Sequence, residues 1–104
     1  MKLYIVRHGT TEWNVQYRFQ GRTDIELNSN GRILAGKLGE KLENVHFDRI
    51  YSSPLSRAYE TANLIRGHRN IQIIKDDLLT EISFGELEGS FSDDFFPCLF
   101  FLIR

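Results

Sequence analysis

Cysteine, methionine, tryptophan and proline are all scarce in this sequence, which has one Cys, one Met, one Trp and two Pro in 104 residues. A single Cys excludes an internal disulfide and a Cys-rich zinc site. No apolar run approaches the roughly 20 residues that a membrane-spanning helix requires. The N-terminus lacks a secretory leader pattern, because only a short apolar run separates Lys2 from Arg7. These absences predict a reducing, cytoplasmic location with no membrane partner.

An excess of charge of either sign is also missing. The chain has 13 Lys and Arg against 14 Asp and Glu, which gives a formal net charge of -1. This balance argues against a dedicated nucleic-acid binder, which is normally basic, and against a polybasic membrane-surface protein. The hydrophobic fraction of 41% and the charged fraction of 26% are typical of a globular domain. A chain of this length has room for one modest core.

The composition changes after Gly89. Residues 90–104 hold five of the eight Phe residues and the only Cys, Cys98, and residues 95–103 have no charged side chain. Cys98 has no neighbouring group that would lower its pKa, so it is interpreted as a small apolar residue rather than a nucleophile. Residues 90–104 are therefore predicted to be an atypical Phe-rich tail, and a truncation or a frameshift is the favoured explanation of the break.

Three short apolar runs predict β-strands, at residues 3–6, 47–52 and 71–74. The first run is apolar throughout, which is typical of a strand buried on both faces of a parallel sheet. Helical patterns separate the later runs, and strands that alternate with helices are typical of an α/β domain. We therefore expect an α/β domain with a parallel sheet.

Capping residues predict where the helices begin and end. Thr10 or Thr11 is suited to cap a short helix over residues 12–14. Asn28 is suited to cap a second helix. The predicted apolar stripe of that helix consists of Leu34, Leu38, Leu42 and Val45.

A third helix is predicted to begin at Ser53-Pro54 and to end at Gly67. Serine is a favourable capping residue, and proline is favourable at the first helical position. The predicted apolar stripe of this helix consists of Leu55, Ala58, Tyr59, Ala62 and Ile65.

Basic residues and a histidine follow two of the predicted strands. Arg7, His8 and Gly9 come directly after the first strand, and Arg57 lies just beyond the second. Ligands of open α/β sheets bind beyond the carboxyl ends of the strands, so these residues are expected to share one crevice. Arginine presents planar donors suited to phosphate, and a neutral imidazole can attack phosphorus and carry the group covalently. The pattern indicates a phosphate site with a histidine nucleophile.

Several motifs carry a family resemblance. They are Arg7-His8-Gly9-Thr10, Asn14, Gln20-Gly21, Leu27-Asn28 with Gly31-Arg32, and Ser52 to Ala58 with Thr61-Ala62. Together they resemble the histidine phosphatase superfamily, in its phosphoglycerate mutase-like branch. The resemblance covers residues 1–89, which it implies are the N-terminal half of such a domain. It implies a three-layer α/β/α fold with a mainly parallel sheet, incomplete in this chain.

The resemblance also implies a reaction and roles for individual residues. The reaction is phosphoryl transfer or hydrolysis on small phosphorylated metabolites, with a phosphohistidine at His8. Glu81 would be the general acid that protonates the leaving oxygen, and Arg7 and Arg57 would hold the phosphoryl oxygens. The residues implied on the substrate side are Thr11, Asn14, Gln20 and Gly21. No metal or other cofactor is implied; the expected partner is a small phosphorylated substrate, without nucleic acid or membrane, and a homo-oligomer is left open.

Two alternatives to an active enzyme stay open. Members of the family are usually much longer and have a second catalytic histidine in a later His-Gly motif, which this sequence lacks. The other histidines are His46 and His68, and neither precedes a glycine. The chain is then a catalytically dead phosphate-binding module or a non-functional truncated fragment.

Some individual assignments also have ordinary alternatives. Asn14 fits a capping role as well as a substrate contact, and Glu81 lies near Glu86 and Glu88 in a polar segment where solvated carboxylates are common. Between phosphatase and mutase, phosphatase is favoured, because residues 20–24 resemble the broad phosphatase branch more than the glycolytic mutases.

Overall fold

The fold is given by a computed structural model that describes residues 2–91. Its elements, in chain order, are helix α1 (Glu12–Val15), helix α2 (Ser29–Lys41), strand β1 (Ile50–Ser52), helix α3 (Ser56–Arg66), strand β2 (Ile73–Lys75) and two 3-10 turns (Asp77–Leu79 and Gly85–Leu87). Strands β1 and β2 pair in parallel, with Tyr51 opposite Ile74, and α3 is the crossover between them. The predicted α/β class with parallel pairing is confirmed. Most of the predicted tail, including Cys98, lies outside the described residues.

Helices α2 and α3 pack against each other through small residues. The buried residues of α2 are Gly31, Ala35 and Gly39, which share one helix face because they are four residues apart. A Cβ at Gly39 would lie 2.7 Å from the carbonyl oxygen of Leu64 in α3, so the two backbones approach closely there. The prediction that the leucine stripe is the buried face of α2 is therefore wrong. Leu34, a member of that stripe, is 58% exposed. The hydrophobic pattern did not predict this contact, because the close approach of the two helices requires residues with small side chains or none.

Helix α3 begins later than the sequence predicts, and a distant carboxylate caps it. Its N-cap residue, Leu55, provides no side-chain hydrogen bond. Instead, Asp24 accepts hydrogen bonds from the backbone N–H of Ser56 (2.7 Å) and from the Ser56 hydroxyl (3.0 Å). At the other end Gly67 follows the last helical residue with φ 61°, as predicted, a conformation that glycine adopts without strain. The predicted apolar stripe is partly correct, because Ala62 and Ile65 are buried.

The predicted first strand is not formed. Residues 3–6 are not assigned as a strand, and the exposure of their side chains runs from 39% at Val6 to 77% at Leu3. A strand buried on both faces needs hydrogen-bonded neighbours and layers that cover it, and residues 2–91 supply these to the segment only in part. Tyr4 makes an edge-to-face contact with Phe47, with ring centroids 5.1 Å apart. In the described part of the chain, no helix is both long and apolar enough to cross a membrane.

Candidate active site

His8 follows the extended N-terminal segment and is partly buried. Its Nδ1 lies 2.6 Å from the carbonyl oxygen of Gly9. Because a carbonyl oxygen can only accept, Nδ1 is the donor of this hydrogen bond, and in the neutral ring Nε2 keeps its lone pair. Burial, together with the nearby cations of Arg57 and Arg7, lowers the pKa of His8 to about 4. The imidazole is therefore neutral at pH 7, as a nucleophile must be.

Thr61 connects the His8–Gly9 turn to helix α3. The backbone N–H of Gly9 donates to Oγ1 of Thr61 (2.9 Å), and the Thr61 hydroxyl donates to the carbonyl oxygen of Arg57 (2.7 Å). Thr61 is itself buried, so this bridge is shielded from competing water. It holds the candidate nucleophile in a fixed relation to the helical turn that carries Arg57. The sequence motif included Thr61 but gave it no role.

Arg57 is buried, with an exposure of 1%. Its guanidinium donates to the carbonyl oxygens of Gly21 (2.6 Å) and Thr23 (2.8 Å). Burial lowers the pKa of Arg57, while the carboxylates of Glu81, Asp24 and Glu88 oppose that shift. Arginine has a pKa so high that the group remains a cation at neutral pH. The structure thus brings together His8 and Arg57, as expected from the ends of the two predicted strands.

The residues predicted on the substrate side form one hydrogen-bonded cluster. Thr11 caps α1: its hydroxyl accepts from the backbone N–H of Asn14 (3.1 Å), and Oδ1 of Asn14 accepts from the N–H of Thr11 (2.9 Å). This reciprocal pair is a capping box, so the predicted cap is confirmed and the capping alternative for Asn14 is observed. The Thr11 hydroxyl also lies 2.5 Å from Oε1 of Gln20. Gly21 follows with φ 54°, and its carbonyl oxygen is the one that Arg57 binds.

Glu81 and Arg7 are less enclosed than His8 and Arg57. Glu81 is half-buried; its Oε1 accepts from the N–H of Ile82 (2.9 Å), and its charge acts on Arg57. The Arg22 Nε donates to the backbone carbonyl of Glu81 (3.1 Å). Arg7 is exposed beside His8, whose pKa it helps to lower. The chemical roles of Glu81 and Arg7 stay predictions.

Glu88 is the residue of this region that the sequence left without a role. Its carboxylate accepts from the backbone N–H groups of Arg22 (3.1 Å) and Phe84 (3.0 Å) and from the hydroxyl of Thr23. Desolvation raises the pKa of Glu88, but these hydrogen bonds outweigh it and lower the pKa to about 2. Glu88 therefore differs from the ordinary solvated carboxylate that the sequence suggested. Two of its partners, Thr23 and Arg22, are 65 and 66 residues away along the chain, so no local spacing reveals them.

Comparison with known proteins shows that the chain is similar to part of a phosphatase family. The model of the histidine phosphatase superfamily (branch 1) matches residues 3–95. Phosphoserine phosphatase 1 of Hydrogenobacter thermophilus is 43% identical over 89 residues, which are 86% of this chain and 42% of that protein. The chain therefore spans less than half the length of this relative.

Solved structures show the same similarity. Bacillus stearothermophilus YhfR aligns with a TM-score of 0.80 and 47% identity, over 84% of this chain and 43% of that chain. A phosphoserine phosphatase from Entamoeba histolytica, in complex with 3-phosphoglyceric acid, aligns with a TM-score of 0.74 and 44% identity, over 82% of this chain and 42% of that chain. The chain thus aligns with less than half of each of these two solved structures.

Proposed function

Because the chain belongs to the histidine phosphatase superfamily, we propose that it supports phosphoryl transfer from small phosphorylated metabolites through a phosphohistidine at His8. The observation that carries the proposal is a neutral imidazole whose Nδ1 is bound to the Gly9 carbonyl, close to the buried cation of Arg57. Within this proposal, residues 1–89 are the N-terminal half of a family domain. A cytoplasmic location also belongs to it, since a single cysteine fits a reducing compartment.

The proposed reaction has two steps. Nε2 of His8 attacks the phosphorus atom, the bond to the leaving oxygen breaks, and Glu81 supplies the proton that this oxygen needs. Water then attacks the phosphohistidine and gives a proton to the Glu81 carboxylate. The N–P bond breaks, which releases inorganic phosphate and restores His8 and the acid form of Glu81. Hydrolysis is favoured over mutase chemistry, because phosphatases are among the relatives at more than 40% identity.

The cations of Arg7 and Arg57 would stabilise the charge on the transferring phosphoryl group. Two carbonyl oxygens hold the Arg57 guanidinium in place, and its five N–H groups provide donors beyond those two bonds. The wall of the site on the substrate side would consist of Thr11, Asn14, Gln20 and Gly21. Phosphoserine and 3-phosphoglycerate are the natural first substrates to test, since both occur in structures of the Entamoeba histolytica relative.

Phosphate binding without turnover is the second candidate function. The sequence has no histidine that precedes a glycine after His8, so the second catalytic histidine implied by the resemblance is missing. A module of this kind would bind inorganic phosphate or orthovanadate at the same residues. It would not release phosphate from a substrate.

The proposed function is tested by phosphate release from 4-nitrophenyl phosphate, phosphoserine and 3-phosphoglycerate. We expect His8→Ala to abolish turnover and Arg57→Lys to lower kcat by about 10²–10³, as for a lost oxyanion donor. His68→Ala is the matched control, because His68 is exposed, and it should leave turnover unchanged. Orthovanadate binding without turnover in the unmodified chain would favour the binding module. Turnover that survives in His8→Ala would refute the phosphohistidine.

A further inference from the structure

We propose that Glu88 is a positioning residue for Arg57: its carboxylate fixes the Gly21–Thr23 loop, whose carbonyl oxygens hold the guanidinium. This inference rests on the proposed function, in which Arg57 contacts the phosphoryl group. It assigns a role to a carboxylate that does not itself touch the reacting atoms. Two sets of contacts connect these residues: those from Glu88 to the loop and those from the loop to Arg57.

Glu88 makes two hydrogen bonds to the loop and lies close to the backbone at a third position. It accepts from the backbone N–H of Arg22 (3.1 Å) and from the hydroxyl of Thr23, and a Cβ at Gly21 would collide with its carboxylate. The same carboxylate accepts from the N–H of Phe84 (3.0 Å). Glu88 therefore joins the loop to the segment that begins at Glu81.

The loop in turn binds Arg57 through its backbone. The carbonyl oxygens of Gly21 and Thr23 accept from the two terminal nitrogens of the guanidinium, at 2.6 Å and 2.8 Å. The residue between them, Arg22, donates its N–H to Glu88. The Arg22 N–H and the Gly21 carbonyl belong to one peptide group, so a shift of this peptide would move the carbonyl oxygen that binds the guanidinium. The bond from the Thr23 hydroxyl to Glu88 restrains the residue that supplies the second carbonyl oxygen.

The two oxygens of the Glu88 carboxylate have different partners. Oε2 accepts from the backbone N–H groups of Arg22 and Phe84 and from the Ser83 hydroxyl (3.4 Å), and Oε1 accepts from the Thr23 hydroxyl. A Gln side chain would keep its oxygen on the two N–H groups and donate its NH₂ to the Thr23 hydroxyl, because a hydroxyl also accepts. Glu88→Ala removes all of these hydrogen bonds and is therefore the variant that breaks the contact.

The test compares Glu88→Ala with Glu86→Ala in the full chain. Glu86 is exposed in the adjacent 3-10 turn, so its loss removes the same charge without the same contacts. The first readout is the ¹⁵N-resolved Nη–H signals of Arg57, assigned by their absence in Arg57→Lys. The second is orthovanadate affinity, measured by titration.

We expect separate, slowly exchanging Nη–H signals in the unmodified chain and in Glu86→Ala, and their averaging in Glu88→Ala. Orthovanadate Kd should rise about tenfold or more in Glu88→Ala, as expected when a catalytic group is misplaced, and stay unchanged in Glu86→Ala. If Glu88→Ala fails to fold, Thr23→Val serves instead, because it removes one hydroxyl donor and keeps the carbonyl that binds Arg57.

Unchanged Arg57 signals in Glu88→Ala, or in Thr23→Val where that variant is needed, would overturn the positioning role. If the unmodified chain does not bind orthovanadate, the proposed function fails, and the Arg57 signals still decide whether Glu88 positions the guanidinium. The two failures are thus distinguishable.

Discussion

Gly31→Ala is expected to destabilise the chain by about 3 kcal/mol or more, whereas Gly36→Ala in the same helix should stabilise it. A Cβ at Gly31 would collide with the carbonyl oxygen of Thr10 and lie 2.8 Å from the Thr10 backbone nitrogen. Both neighbours are backbone atoms, so no side chain can rotate away. Overpacking of this kind costs about 1–3 kcal/mol and occasionally more, and the upper end applies when the backbone must move.

Gly36 is the matched control because it has open space around it. No heavy atom lies within 4 Å of a Cβ built at Gly36, and alanine is favoured over glycine inside a helix by about 0.5–1 kcal/mol. Urea unfolding followed by circular dichroism measures both variants on one scale. Equal effects at the two positions would contradict the close approach of α2 to the His8–Gly9 turn.

The collision at Gly31 should also reach the candidate site. Thr10 is two residues from His8, and its carbonyl oxygen accepts from the N–H of Asn28 (2.9 Å). Gly9 also lies close to helix α2, since a Cβ at Gly9 would be 2.8 Å from the carbonyl oxygen of Gly31. We therefore expect Gly31→Ala to weaken orthovanadate binding even at temperatures where the variant is folded.

His8 is expected to titrate with a pKa of about 4 in the folded chain and near 6.5 when the chain is unfolded. Burial is the main cause, and the cations of Arg57 and Arg7 add to it. The measurement is an NMR titration of the His8 ring signals in buffer and again in concentrated urea. A folded-state pKa near 6.5 would show that the imidazole is neither buried nor beside these cations.

The same shift makes stability depend on pH. Between about pH 6.5 and pH 4, His8 binds a proton in the unfolded chain but not in the folded chain, so its contribution to stability falls as the pH falls through this window. The depressed pKa of Glu88 acts in the same direction at lower pH, between its ordinary value of 4.5 and about 2. His8→Ala should therefore remove most of the pH dependence of stability between about pH 6.5 and pH 4.

Local chemistry made some features of the fold and site predictable. The Thr11 cap, the Asn28 cap and the Gly67 helix end depend on neighbouring backbone groups, and each is present. The proximity of His8 and Arg57 was predicted from strand ends that meet at one edge of a parallel sheet. In the structure it does not depend on a first strand, because the hydrogen bonds from Gly9 to Thr61 and from Thr61 to Arg57 connect the two residues.

Features set by distant groups escaped sequence reasoning. Asp24 caps a helix 32 residues away, and the roles of Thr61 and Glu88 depend on hydrogen bonds across the fold. The prediction of a strand at residues 3–6 is wrong because strand formation also depends on groups that are distant in the sequence. Its apolar run indicates burial, but burial requires partners that residues 2–91 supply only in part.

The most direct test of the account is the detection of phosphohistidine at His8. The purified chain is incubated with 4-nitrophenyl phosphate, quenched at alkaline pH to preserve the acid-labile bond, and mapped by mass spectrometry beside His8→Ala and His68→Ala. The account predicts phosphate on His8 in the unmodified chain and in His68→Ala, and none in His8→Ala. A folded chain that binds orthovanadate but never carries phosphate on His8 would contradict it.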